Sequence, residues 1–162
     1  MVQTDVELQA NDTLALTPAE QEILSQDVPA FARTLKDPAS RERYAALAEA
    51  VETGEIPGHL ARSLETMLEL ALQTKAVRHR HGPDAERTLS DLYFRTGRGG
   101  ALRQAAREVT RALEALKGQT VEKIGVTAAA GRHTITINTD RAHLTLSVDH
   151  SGVAVDRVEV GG

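Results

Sequence analysis

The chain has no cysteine and no tryptophan, only two tyrosines and two phenylalanines, and no apolar run approaching the roughly 18 residues of a membrane span. Without cysteine it can form no disulfide, no thiolate metal site and no thiol nucleophile, and redox chemistry gives no clue to its compartment. Phe31, Tyr44, Tyr93 and Phe94 are its whole aromatic inventory, which supplies base-stacking platforms and aromatic cages poorly. The start, "MVQTDVELQAND", lacks the basic and apolar regions of a secretory signal, so the expectation is a soluble cytoplasmic protein without a membrane partner.

What is present is enough for a core: 162 residues, 41% of them hydrophobic, fit one domain or one domain with a small appendage. The mild net charge of −4 hides a segregation. Residues 1–72 hold 5 Lys or Arg against 13 Asp or Glu, a net of −8, whereas residues 73–117 hold 10 against 5, a net of +5. Either these blocks pack on each other or on a second copy, or the basic block meets an anionic partner.

Residues 1–16 alternate weakly through Val2, Val6, Leu8, Leu14 and Leu16, as an arm that docks as a short strand or as a frayed end. A helical region over 17–118 follows, with about five to six helices. "TPAE" at Thr17 to Glu20 is a capping box with Pro18 at the first helical position, and Pro29 predicts a break into two short helices, about 18–26 and 29–36. Asp37 caps the next helix and Gly54 stops it. A broad apolar face from Leu60 through Leu64, Met67, Leu68 and Leu72 to Val77 marks a central helix starting near Pro57. Asp84 opens a helix that turns Ala85, Leu89, Leu92 and Tyr93 inward, and the turn "TGRGG" at 96–100 leads to an amphipathic helix ending at Gly118.

Beyond Gly118 the hydrophobic period changes from 3.6 to 2. Residues 119–162 read as four strands joined by short turns, with Ile135, Ile137, Leu144, Leu146, Val148, Val153 and Val155 on one face. Thr134, Thr136, Asn138, Thr145 and Ser147 occupy the other. Apolar parity slips between Val155 and Val158, which predicts a bulge near Asp156–Arg157. Helices first and strands second, without β-α-β alternation, predict an α+β fold: a helical bundle and then a four-stranded antiparallel β-meander packed on the helices or on a partner subunit.

Four constellations carry chemistry. His79 and His81 form an H-x-H pair that can ligate a metal only from an extended segment, since on a helix the two point apart; the alternative is the cationic end of the central helix. In "FRTGRGG", Arg95, Arg98, Gly99 and Gly100 offer backbone N–H groups and charge to a phosphate or carboxylate, against the alternative of a helix–helix connection using glycine for left-handed backbone. Arg103, Arg107 and Arg111 recur every four residues as a stripe that can track a phosphate backbone or pair with a protein surface, Glu108 and Glu114 included. His133 falls on the apolar parity as a partly buried residue, His143 on the polar parity and His150 in a turn, and none is expected to be catalytic.

No nucleophile elbow and no carboxylate pair in a recognisable pocket is found, so neither enzymatic activity nor a cofactor is expected. The leading expectation is a non-enzymatic protein-interaction or assembly protein, a small oligomeric cytoplasmic adaptor that uses its helical surface and the valine-rich last strand. The first alternative is an anion or nucleic-acid binder centred on residues 75–111, and the second a histidine-metal protein.

Overall fold

The structure is a computed structural model and describes residues 12–161, which places Val2, Val6 and Leu8 of the arm outside the described residues. Among the described residues the order is that of an α+β fold, with six helices followed by a four-stranded antiparallel β-meander. The chain divides into two compact units, with the boundary between Gly100 and Ala101.

The first unit begins with strand β1 (Thr13–Ala15), which pairs antiparallel with β2 (Glu55–Pro57) and sets Leu14 opposite Ile56, both buried. Helix α1 (Pro18–Thr34) starts at the expected capping box: the Thr17 N–H donates to the Glu20 carboxylate at 2.8 Å, and the Glu20 N–H donates to the Thr17 hydroxyl at 3.2 Å. The expected break at Pro29 does not occur, and α1 runs through it as one helix. An interior proline costs about 3 kcal/mol. Leu24 and Val28 are fully buried just before it, and burying side chains of this kind contributes roughly 1.5–3 kcal/mol each, which is enough to hold the helix together across the lost hydrogen bond.

Helix α2 (Pro38–Thr53) is capped by Asp37, which accepts from the Ser40 N–H at 2.9 Å, and ends at Gly54 in the left-handed conformation, φ 79°. The central helix is shorter than its apolar stripe. Helix α3 (Gly58–Gln73) stops, Lys75 takes a left-handed conformation with φ 57°, and α4 (Ala76–His81) is a separate short helix. That bend lets Val77 be fully buried. Helix α5 (Pro83–Tyr93) turns Ala85, Leu89, Leu92 and Tyr93 inward as expected. With Leu47, Val51, Leu64, Met67 and Leu68 these residues form the core of the first unit.

The glycines of "TGRGG" are not a turn but the start of helix α6 (Gly97–Glu114). Gly97, Gly99 and Gly100 have no positive φ, so left-handed backbone is not the reason for them. At Gly99 the reason is contact: a Cβ there would lie 1.8 Å from the Tyr93 carbonyl oxygen. Thr96 fixes this approach by donating its hydroxyl to that carbonyl at 2.6 Å and accepting the Gly99 N–H at 3.3 Å.

The second unit comprises the rest of α6 and strands β3 (Val121–Ala129), β4 (Arg132–Thr139), β5 (Ala142–Asp149) and β6 (Gly152–Val160), paired in the order β3-β4-β5-β6. Val109 of α6 packs on Leu144 and Leu146, with Ala112, Leu116, Ile135, Ile137, Val153 and Val155 around them. The predicted bulge is present: Leu146 faces Val155 but Thr145 faces Arg157, so Asp156 is the extra residue. Asp156 is held by Ser147 at 2.8 Å and Arg132 at 2.6 Å.

Candidate functional site

Four arginines of the basic segment, Arg78, Arg80, Arg95 and Arg98, meet acids of the first unit. Glu20 is buried, and its carboxylate receives Arg95 Nη2 at 2.5 Å while Arg95 Nη1 donates to the Ala15 carbonyl at 2.9 Å. Glu65 and Glu69 lie one turn apart on α3 and meet the start of α6 together: Glu69 pairs with the Arg98 guanidinium at 3.1 Å, and Glu65 accepts the Arg98 backbone N–H at 2.9 Å. Arg78 pairs with Glu86 at 3.7 Å. At Arg95 and Arg98, charges that the sequence presents as part of a basic face thus neutralise acidic residues of the same unit, and a phosphate arriving there would have to displace carboxylates already in place.

The H-x-H pair is divided in the same way. His79 is exposed, whereas His81 turns inward and its Nε2 meets Asp27 Oδ1 at 2.8 Å, an oxygen that Arg80 also reaches at 3.0 Å. Asp27 is buried, and its other oxygen, Oδ2, has no hydrogen-bond partner. Among the described residues no group of three His, Asp or Glu side chains is arranged to hold a metal ion. "RHRH" is therefore not the last turn of the central helix but a separate helix that delivers two side chains to one buried carboxylate.

Arg103, Arg107 and Arg111 stand exposed along α6, while Glu108 accepts from Gln104 at 3.2 Å. His133, read from its parity as partly buried, is exposed at the start of β4, beyond the residues that cover the apolar cluster. His143 lies in an open polar depression with Glu122, Asn138, Arg141 and Glu159. Both its ring nitrogens are engaged, Nδ1 with the Asn138 side-chain oxygen and Nε2 with the Thr145 hydroxyl at 3.2 Å. These neutral partners orient the ring.

The sequence pointed to the valine-rich last strand as an interaction edge, but it missed the opposite margin of the sheet, β3. Register puts Ile124 opposite Ile137 and Val126 opposite Ile135, hence on the same apolar face that α6 covers farther across the sheet. Yet Val121, Ile124 and Val126 are 51%, 62% and 64% exposed. Val158 and Val160, opposite Leu144 and Ala142 on that face, are exposed too at the far margin of the sheet. Geometry explains both margins. Four strands about 4.8 Å apart make a face wider than one helix, about 10 Å across, can cover. A count of apolar strands against available helices would have found them.

Among the described residues no helix is long and apolar enough to cross a membrane. Comparison of the chain with protein families, with curated proteins and with solved structures finds no match.

Proposed function

We propose that this chain is a non-enzymatic, cytoplasmic protein-interaction protein whose docking surface is the C-terminal sheet. One observation carries the reading: Val121, Ile124 and Val126 stand more than half exposed on a sheet face whose central residues pack under α6. Exposed apolar residues scattered singly are ordinary, but a contiguous set on one margin of a packed face is typical of a surface that another chain covers. The engagement of Arg95 and Arg98 by Glu20 and Glu69 adds support, since it removes two of the charges on which an anion site would depend.

The competing reading keeps one observation in its favour, the exposed line of Arg103, Arg107 and Arg111 on α6. The two are separated with one double variant each. Ile124→Ser with Val126→Ser is expected to abolish protein association without lowering the melting temperature, because neither side chain is part of the core. Generic duplex and single-stranded nucleic acids are expected to bind the native chain weakly even at low salt. Submicromolar binding that falls steeply with salt and is lost on Arg103→Glu with Arg107→Glu would replace the interaction reading by the nucleic-acid one.

A further inference from the structure

We infer that the occupant of this margin is a second copy of the chain, joined edge to edge through β3 in an antiparallel pair about a two-fold axis at Gly125. The inference rests on the docking reading above and names its partner and register.

Among the described residues the sheet has two free edges, β3 and β6, and they are built differently. Free edges normally carry devices against unwanted pairing, chiefly charges and bulges. On β6 both are present, with the bulge at Asp156 followed by Arg157 and Glu159, which pair with each other at 2.5 Å. On β3 the irregularity falls between Val121 and Lys123, and from Ile124 to Ala129 the strand is regular and carries no charge and no proline. Such an edge offers unpaired backbone groups beside apolar side chains, which is what a pairing strand requires.

Self-pairing is favoured by the register that the side chains select. In an isologous antiparallel pair a residue on the axis faces its own copy, and its neighbours face each other reciprocally. With Gly125 on the axis, Ile124 of each copy lies opposite Val126 of the other, so the two most exposed apolar side chains of β3 cover each other. Lys123 then stands opposite Thr127. An axis at Lys123 would set like charges face to face, which opposes pairing. The second unit holds 8 Lys or Arg against 7 Asp or Glu, so the units that would meet carry almost no net charge. One short ladder with few apolar pairs is small beside the roughly 1,600 Å² of a stable interface, so the expected dimer is reversible and forms at micromolar concentrations.

The absence of cysteine makes the register directly measurable in the full chain. Residues opposite each other across an antiparallel pair have Cα atoms about 4.5–5.5 Å apart, within disulfide range. A Cβ at Gly125 meets nothing within 4 Å and its φ is not positive, so Gly125→Cys is sterically free. Under mild oxidation Gly125→Cys is expected to give mostly disulfide-linked dimer. Thr127→Cys, on the same face but about 13 Å from its own copy in this register, is expected to stay at the 17.5 kDa of one chain. Adding Ile124→Lys to Gly125→Cys should suppress the dimer by at least tenfold. The inference is overturned if neither cysteine crosslinks, if both do so equally, or if only Thr127→Cys does. Should it fail while Ile124→Ser with Val126→Ser still abolishes binding to a different protein, the docking reading stands with another occupant; should both fail, the docking reading falls as well.

Discussion

The backbone of Gly99 lies so close to Tyr93 that a methyl group on its α-carbon would stand 1.8 Å from the Tyr93 carbonyl oxygen and 2.5 Å from its carbon. The obstacle is backbone, so no rotamer change relieves it. Gly99→Ala must therefore part α5 from the start of α6, and a loss of about 3 kcal/mol is expected in chemical denaturation. The neighbouring Gly100 is the control. A Cβ there would meet the Phe94 carbonyl oxygen at an ordinary 3.5 Å, so Gly100→Ala should be neutral or stabilising by up to about 1 kcal/mol through helix propensity. Equal losses at the two positions would show that the close approach does not exist in solution.

Two ion pairs of the same chemistry are expected to differ in worth because their carboxylates differ in burial. Glu20 is buried and also accepts the Thr17 N–H, so Glu20→Ala removes a cap and the partner of Arg95 together, with an expected cost of about 2–3 kcal/mol. Glu69 pairs with a half-exposed Arg98, and Glu69→Ala is expected to cost under about 1 kcal/mol. Comparable values from thermal denaturation of the two variants would contradict this ordering.

Stability at alkaline pH should report the buried phenols. Burial pushes the Tyr93 hydroxyl above its ordinary 10.0, with Glu69 acting in the same direction against Arg98, and burial raises Tyr44 likewise against Arg43. In the window just above pH 10 the unfolded chain has released these protons and the folded chain retains them. Stability is therefore intact below about pH 10 and falls as pH rises beyond it. The Tyr93 hydroxyl is buried without a hydrogen-bond partner, so Tyr93→Phe should raise stability at neutral pH by about 1 kcal/mol and flatten the alkaline decline. Tyr44 donates to the Ser63 carbonyl at 3.0 Å, and Tyr44→Phe should flatten the decline while lowering neutral stability. Melting curves of the three proteins between pH 7 and about pH 11 test both signs.

Local rules, read without coordinates, determined much of this protein. The Thr17–Glu20 box, the Asp37 cap, the Gly54 stop, the four strands and the bulge at Asp156 all follow from short-range spacing, because capping, left-handed backbone and two-residue parity are decided within a few residues. Tertiary structure decided the rest. Pro29 stays inside α1 and Lys75 leaves helical geometry because Val28 and Val77 gain more from burial than the local backbone loses. The acids that receive Arg95 and Arg80 are likewise nonlocal: Glu20 meets Arg95, and Asp27 meets Arg80 and His81, across more than fifty residues of chain. Nor does any local pattern state how wide a sheet one helix must cover. Ile124 and Val126 share the apolar face with Ile137 and Ile135, and their exposure follows only from where α6 lies on it.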